Sequence, residues 1–281
     1  MKDTGLFIND SYLSKISTDE TFIGEHYSTF KRVYDSRKAC MNCPGLNACT
    51  QLSKGQRLAL SYDGILIEEV EYCDYALKVR RRQSLLDKYM YCDISEDLAD
   101  IDLGSISYTE DQKQLYLLMA ALLHEKRDKG LYIYGDFGAG KTYLSIALAN
   151  SLVRQGKKVA FVKVSNFFNE MKSYFGTASE MIDKNISILK NAEYLFLDDI
   201  GSEAVSEFVR DDILFRILDD RMEKKKITIF TSNLSKEELL KHYQYDRKEK
   251  SNLMNARRLM ERIDILTDDY VLSGTNMRRK Q

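Results

Sequence analysis

One segment of the sequence has the residue types and spacing of a phosphate-binding loop. Residues 135–142 read GDFGAGKT, which fits the pattern G-x-x-x-x-G-K-[ST] at every position. Its glycines let successive backbone N–H groups point inward and form an anion-binding nest. Lys141 would reach the β- and γ-phosphates of a nucleotide, and the Thr142 hydroxyl would ligate Mg²⁺. The predicted nucleotide-binding residues are Gly135, Asp136, Phe137, Gly138, Ala139, Gly140, Lys141 and Thr142.

Two carboxylates end an apolar run farther along the chain. Residues 195–199 read LFLDD, which predicts a buried strand that ends in Asp198 and Asp199. In P-loop ATPases such an acid holds Mg²⁺ through water, and Asp198 is predicted to take that role. Asp199 is then placed to polarise the attacking water. Taken alone, this pair could equally be an exposed Asp-Asp turn after a buried strand. The presence of a phosphate loop in the same chain favours a catalytic role.

An asparagine follows the next apolar strand pattern. Residues 229–233 read IFTSN, and Asn233 is predicted to orient the lytic water from the neighbouring strand end. An asparagine after a strand is more commonly a turn residue or a helix cap. Its place after the acidic strand favours the functional interpretation.

Arginines near the C-terminus are candidates for contact with a neighbouring subunit. Arg258 and Arg262 are four residues apart and so share one face of a predicted helix, and Arg278 and Arg279 come later. A guanidinium that reaches a neighbour's γ-phosphate would make hydrolysis depend on oligomerisation. A solvated basic face is an equally simple interpretation of each of these arginines.

The N-terminal third contains a candidate zinc site. Cys40 and Cys43 are separated by two residues on a predicted turn, and Cys49 follows. This spacing allows two thiolates from one turn to ligate the same tetrahedral ion, which needs four ligands. Cys73 is the best fourth ligand, with Cys92 or a distant histidine as alternatives. A redox dithiol is less well supported, because the pair does not begin a helix in a βαβ unit.

The elements that must position these residues alternate from about residue 111 onward. Strand-like runs are followed by helical patterns, which predicts a parallel sheet with crossover helices. Residues 1–92 hold all five cysteines and the only proline, and an acidic connector covers 93–110. The predicted division is therefore an N-terminal domain at 1–92, the connector, and an α/β domain at 111–281. The predicted strands are 131–134, 159–164, 194–197, 227–231 and 265–272.

Composition indicates a globular protein with a proper core. The apolar fraction is 44%, the charged fraction is 30% and the net charge is −1, so overall charge predicts neither a nucleic-acid nor a membrane partner. The sequence shows neither an apolar run long enough to span a bilayer nor a secretory signal, so we expect a cytoplasmic location. Cysteines in that reducing compartment are typically metal ligands or free thiols.

Together these motifs resemble the DnaC/DnaI class of AAA+ helicase loaders. The resemblance is carried by GDFGAGKT, LFLDDIG, FTSNL and ARRLMERI in residues 111–281, and by CMNCPGLNAC, which is similar to the zinc-binding N-terminal domain of the DnaI branch. It implies an AAA+ P-loop ATPase domain without a full C-terminal lid, preceded by a small zinc-binding domain. The family pattern leads us to expect a histidine ligand, yet no histidine occurs between Cys49 and Cys92.

The resemblance also implies roles and partners. Arg262 matches the arginine finger and Arg278 the sensor-2 arginine. The N-terminal domain would grip a hexameric replicative helicase, while the ATPase domain self-associates and touches single-stranded DNA. Slow ATP hydrolysis, stimulated by DNA or by oligomerisation, would govern release, with ATP, Mg²⁺ and Zn²⁺ as cofactors.

Two other functions are compatible with the same motifs. A transposition-associated ATPase of the IstB type would share the ATPase domain, but a zinc-bearing N-terminal domain argues against it. A nucleotide-gated adaptor without turnover is the other alternative, and the paired carboxylates with Asn233 argue against it. Co-purification with a hexameric helicase would distinguish a helicase loader from the transposition-associated ATPase. ATPase assays would distinguish an active ATPase from the adaptor without turnover.

Overall fold

The computed structural model describes residues 3–245 and 252–273. The chain folds as two compact units, Met1–Arg81 and Arg82–Gln281. This division differs from the expected boundary at residue 92, because Tyr91 and Cys92 form a strand in the sheet of the second unit. The segment expected as a connector also belongs to that unit. Asn150 Nδ2 donates to the backbone oxygens of Leu98 and Ile101, at 2.9 and 2.8 Å.

The first unit combines short helices with a hairpin. Strands β1 and β2 pair antiparallel, with Gln56 opposite Tyr72 and Tyr62 opposite Leu66. Apolar side chains of the helices and of β1 form its core, among them Phe7, Phe30 and Leu60. The elements are α1 (Gly5–Ile8), α2 (Glu20–Glu25), α3 (Tyr27–Lys38), β1 (Gln56–Tyr62), β2 (Leu66–Tyr72) and α4 (Asp74–Leu86), the last of which continues past the unit boundary.

The second unit is built on a six-stranded parallel sheet, which confirms the predicted α/β fold. The strand order is β3-β5-β6-β7-β4-β8, and every neighbouring pair is parallel. The short strand β3 was not predicted. The strands are β3 (Tyr91–Cys92), β4 (Gly130–Gly135), β5 (Val159–Lys163), β6 (Tyr194–Asp198), β7 (Ile227–Ser232) and β8 (Thr267–Leu272).

Helices cover both faces of this sheet. Along β6, Leu195 and Leu197 pack in one apolar cluster and Tyr194 and Phe196 in the other. Burial on both faces explains why the strands are continuous apolar runs. The helices are α5 (Glu110–Leu123), α6 (Lys141–Arg154), α7 (Val164–Ser173), α8 (Ser179–Asn191), a π-helix (Phe208–Phe215), α9 (Arg216–Glu223), α10 (Lys236–Gln244) and α11 (Leu253–Leu266).

The topology places the functional strand ends together. In parallel sheets, ligands bind beyond the carboxyl ends of the strands, where the strand order reverses. Strands β4, β6 and β7 are neighbours and end at Gly135, Asp198 and Ser232. Within the described part of the chain, we find no helix with the length and apolar character needed to cross a membrane.

Candidate nucleotide-binding site

The phosphate loop connects the end of β4 to the start of α6, as its sequence predicted. Gly135, Gly138 and Gly140 have φ angles of +135°, +77° and +97°, a region that favours glycine. Two of them are also confined, because a Cβ on Gly140 would lie 2.6 Å from Gln112 Nε2, and one on Gly135 would lie 2.3 Å from the Leu272 backbone oxygen. The glycines therefore allow the positive φ angles of the turn, and two of them leave space for the close approach of Gln112 and Leu272.

Lys141 lies at the N-terminus of α6 with its ammonium inside the loop. Its Nζ donates to the backbone oxygens of Gly135 and Asp136, both at 2.8 Å, and to Asn233 Oδ1 at 2.9 Å. The side chain is buried. These contacts hold the cation beside the nest and at the end of the helix dipole, where a phosphate is best bound.

Asp198 is bound to two threonine hydroxyls. Its Oδ1 accepts from Thr142 Oγ1 at 2.8 Å and from Thr231 Oγ1 at 2.6 Å. Burial raises the pKa of Asp198, although both of these hydrogen bonds oppose the shift. A carboxylate beside a hydroxyl provides the hard oxygen ligands that Mg²⁺ prefers, so Thr142 and Asp198 fit the predicted magnesium site.

Asp199 and Asn233 are in direct contact. Asn233 Nδ2 donates to Asp199 Oδ1 at 3.0 Å, and the Asp199 N–H donates to Thr231 Oγ1 at 2.9 Å. Asp199 has a φ of +60°, a left-handed conformation that aspartate tolerates better than most residues. Hydrogen bonds thus run from Lys141 through Asn233 to Asp199, and they link all three predicted strand ends.

These groups face a cavity of about 960 Å³, which is at the upper end of the usual size for small-molecule sites. The loop residues Phe137 to Thr142 line it, together with both carboxylates and Asn233. The segment before α5 closes part of its wall. The remaining lining residues are Ser105, Ile106, Ser107, Gln112, Tyr143, Lys163, Ser165 and Thr231.

Sequence reasoning missed two residues of the site. Gln112 is buried in α5, and its Nε2 donates to the Ala139 backbone oxygen at 2.8 Å, so it braces the phosphate loop from outside the motif. The pattern Thr109-x-x-Gln112, a helix capping box, was the available signal. Thr231 joins both carboxylate residues, but its place in an apolar strand gave no sign of this role.

The structure does not bring Arg262 to this cavity. Its Nε donates to Asp219 Oδ1 at 3.0 Å, and its guanidinium carbon lies 4.9 Å from the centre of the Phe215 ring. Arg258 contacts the same ring at 4.6 Å. The other predicted arginine, Arg278, lies outside the described residues.

The predicted zinc ligands do not converge. Within residues 3–245 and 252–273, we find no group of three or more histidine, cysteine, aspartate or glutamate side chains that could hold a metal ion. The four thiols of Cys40, Cys43, Cys49 and Cys73 are free, and all are partly exposed. The structure therefore does not support the zinc prediction.

Three of these thiols instead have hydrogen-bond partners in the neighbouring segment. Cys40 Sγ accepts from Gln51 Nε2 at 3.2 Å, and Cys43 Sγ donates to the Gly45 backbone oxygen at 3.5 Å. The Gly55 N–H donates to Cys49 Sγ at 3.4 Å and lowers the pKa of that thiol, with a smaller contribution from the Gln51 N–H. Cys92 lies in the second unit, where burial raises the pKa of its thiol.

Comparisons with known proteins identify an ATP-binding family and its relatives. The family model described as "IstB-like ATP binding protein" matches residues 45–280. The replicative helicase loader DnaI of Bacillus subtilis is 29% identical over 269 residues, which cover 92% of this chain and 85% of that protein. The second unit holds 200 of the 281 residues, so the match extends well into the first.

Solved structures show the same similarity. A crystal structure of DnaI is 29% identical, with a TM-score of 0.57, and the match covers 66% of this chain and 98% of that one. A putative primosome component from Streptococcus pyogenes serotype M3 is 28% identical, with a TM-score of 0.55, over 69% and 98% of the two chains. The predicted resemblance to helicase loaders of the DnaI type is confirmed.

Proposed function

We propose that this chain, which belongs to the family of IstB-like ATP-binding proteins, loads a replicative DNA helicase onto single-stranded DNA. Loading would take place when replication initiates or restarts, in the cytoplasm. The observation that carries the proposal is the similarity to the helicase loader DnaI across both units of the chain. A transposition-associated ATPase of the IstB type is less well supported, because the relative that matches 92% of this chain is a replicative helicase loader.

ATP hydrolysis would control when the helicase is released onto DNA. Lys141 and the backbone of the phosphate loop would bind the β- and γ-phosphates, while Thr142 and Asp198 would hold Mg²⁺. Asp199 would polarise the attacking water, and Asn233, which contacts both Asp199 and Lys141, would orient it. Magnesium would neutralise charge that develops on the phosphates.

Hydrolysis would be completed by a neighbouring copy of the chain. Arg262 does not line the cavity of its own chain, and we assign it the role of an arginine finger in trans from its sequence match. We assign the sensor role to Arg278 from its sequence match alone. Self-association, on DNA or on the helicase ring, would then stimulate a slow basal ATPase.

The first unit would provide the helicase contact. Several large apolar side chains of this unit are exposed, including Met41, Leu52, Ile65 and Val70, and exposed apolar surface of this kind is typical of protein-binding sites. The ATPase unit would contact the single strand. No step of this proposal uses zinc.

Co-purification with a hexameric helicase tests the proposal. Mixed with the replicative helicase and a circular single strand, the chain should increase the amount of helicase bound to DNA in the presence of ATP. The Lys141→Ala variant serves as the matched control and should fail to deliver it. If the chain bound a transposase or integrase and no helicase, the IstB-type alternative would replace the proposal.

A further inference from the structure

The turn that follows β6 carries the proposed catalytic carboxylate, and its backbone is fixed by hydrogen bonds. The N–H groups of Asp199 and Ile200 both donate to Thr231 on the neighbouring strand, at 2.9 Å each. The Gly201 N–H donates to the carboxylate of Glu203 at 2.8 Å. Two hydroxyls also hold the turn: Ser232 Oγ donates to the Ile200 backbone oxygen at 2.6 Å, and Ser202 Oγ donates to that of Asp199 at 2.7 Å. Glu203 is the side chain that holds the Gly201 N–H.

Glu203 is a buried carboxylate, and each of its two oxygens accepts a hydrogen bond. It is 4% exposed, and while one of its oxygens accepts from Gly201, the other accepts from the hydroxyl of Tyr243 on α10. Burial, and then the charge of Glu203, raise the pKa of Tyr243, so the phenol keeps its proton and remains a donor. Both donors are neutral, Tyr243 is buried and Gly201 is partly buried, so each hydrogen bond helps to offset the desolvation of the carboxylate.

The turn has little room to adopt another path. Gly201 has a φ of +92°, and a Cβ on it would lie 2.8 Å from Leu234 Cδ1 and 3.0 Å from Leu239 Cδ1. Asp199, two residues earlier, is itself left-handed. A left-handed aspartate two residues before a confined glycine keeps its conformation only when surrounding contacts stabilise it.

The side chain that holds this turn is itself tied to the helical layer. Tyr243 is fully buried, and its backbone oxygen accepts from Arg210 Nη1 of the π-helix at 3.0 Å. Arg210 in turn donates to Asp211 through Nε and Nη2, at 2.8 and 2.7 Å. The position of Glu203 is thus set by α10 and the π-helix, and not by the nucleotide loop.

We propose that Glu203 is a positioning residue for ATP hydrolysis, which holds the Asp199 carboxylate in place through Gly201 and is itself oriented by Tyr243. The inference rests on the proposed ATPase function of this site. Glu203 does not line the cavity, so it would touch neither bound phosphates nor a metal ion there. Its loss should therefore slow the chemical step and leave nucleotide binding, which depends on the phosphate loop, unchanged.

Steady-state ATPase kinetics on the full chain test this inference, with and without single-stranded DNA. Tyr243→Phe removes only the hydroxyl, and Glu203→Gln keeps the size of the side chain but cannot accept at both positions. Each should lower kcat about 10-fold or more, since small displacements of a catalytic group are costly. The KM and the Kd for ATP should stay within about two-fold of wild type. The double variant should be little worse than either single variant, because the two residues act through one contact.

A second tyrosine–glutamate pair provides the matched control. Tyr91 donates to Glu170 Oε2 at 2.9 Å, and neither residue lines the cavity. Tyr91→Phe and Glu170→Gln should leave kcat unchanged. The inference is overturned if Tyr243→Phe and Glu203→Gln match these controls while Lys141→Ala abolishes hydrolysis. If hydrolysis persists in Lys141→Ala, the ATPase site is wrongly assigned and the inference fails with it.

Discussion

The phosphate loop and the cysteine segment both present short motifs, yet only the first forms a site in the structure. In the loop, three glycines with positive φ and a lysine at the start of α6 build the nest within one short segment. In the cysteine segment, three thiols have partners within residues 45–55, and the four predicted ligands form no metal-binding group in the described part of the chain. A nest is made by the backbone of contiguous residues, whereas a metal site needs side chains from distant positions to converge.

The two sites also differ in what surrounds them. The strand ends at Asp198 and Asn233 meet the loop because β4, β6 and β7 are neighbours in one buried sheet. The cysteine segment lies in the first unit, where a two-stranded hairpin takes the place of a large sheet and the apolar core is smaller. Variants in both regions make this comparison testable.

The largest effect is expected for Lys141→Ala. This change removes a cation that donates to two loop carbonyls and to Asn233, and that would contact the phosphates. We expect kcat/KM for ATP to fall about 1,000-fold, since both binding and transition-state stabilisation are lost. Lys113→Ala, on the exposed face of α5, should leave hydrolysis unchanged. Equal activity of the two variants would remove the loop from the proposed mechanism.

Asp199→Asn should separate hydrolysis from binding. The asparagine keeps an oxygen that can accept from Asn233 but cannot polarise water as a base. We expect kcat to fall about 100-fold, the usual contribution of a general base, with the Kd for ATP unchanged. Pre-steady-state hydrolysis and binding of a fluorescent nucleotide measure the two quantities. A parallel loss of affinity would instead indicate that Asp199 holds the metal.

Gln112→Leu tests the support of the loop from α5. The substitution leaves the buried Ala139 oxygen without its Nε2 donor and removes the capping-box acceptor of Thr109. We expect about 1–3 kcal/mol of lost stability and a Kd for ATP about 10-fold higher. Urea unfolding and nucleotide titration are the measurements, with Gln155→Leu on the exposed end of α6 as the control. If affinity and stability were both unchanged, Gln112 would have no role in the site.

Asp198→Asn should have a smaller effect on stability than Gln112→Leu, and one of opposite sign. The pKa of Asp198 is raised in the folded chain, mainly by burial, so its contribution to stability is present at low pH and is lost as the pH rises through that value. Without nucleotide or Mg²⁺, the variant should unfold at higher urea concentration than wild type at neutral pH. The difference in urea concentration at the unfolding midpoint between the variant and wild type should become smaller under acidic conditions. A less stable variant at neutral pH would contradict this account.

The smallest effect is expected in the cysteine segment. Because the thiols do not converge, Cys40→Ser should change the free energy of unfolding by less than about 1 kcal/mol. Metal analysis of the purified full chain accompanies this measurement. One zinc per chain, together with a large loss of stability in Cys40→Ser, would restore the metal site predicted from the sequence and remove the contrast between the two regions.

Much of the second unit could be predicted from the sequence. Strands β4 to β7 bury both faces and are therefore continuous apolar runs, which a local pattern reveals. The two-residue strand β3 and the π-helix were not predicted. The strand is too short to form a pattern, and the π-helix has almost the same apolar spacing as an α-helix.

The sequence by itself determined the phosphate loop, because its glycines and lysine act within one turn of chain, and it indicated which strand ends carry carboxylate and amide groups. Only the tertiary structure decided which distant side chains support them. Gln112, Thr231 and Glu203 are ordinary polar residues in sequence, and each acquires its role from a neighbour many residues away or from a turn that the fold creates. The same dependence on long-range packing is why cysteine spacing alone did not determine a metal site.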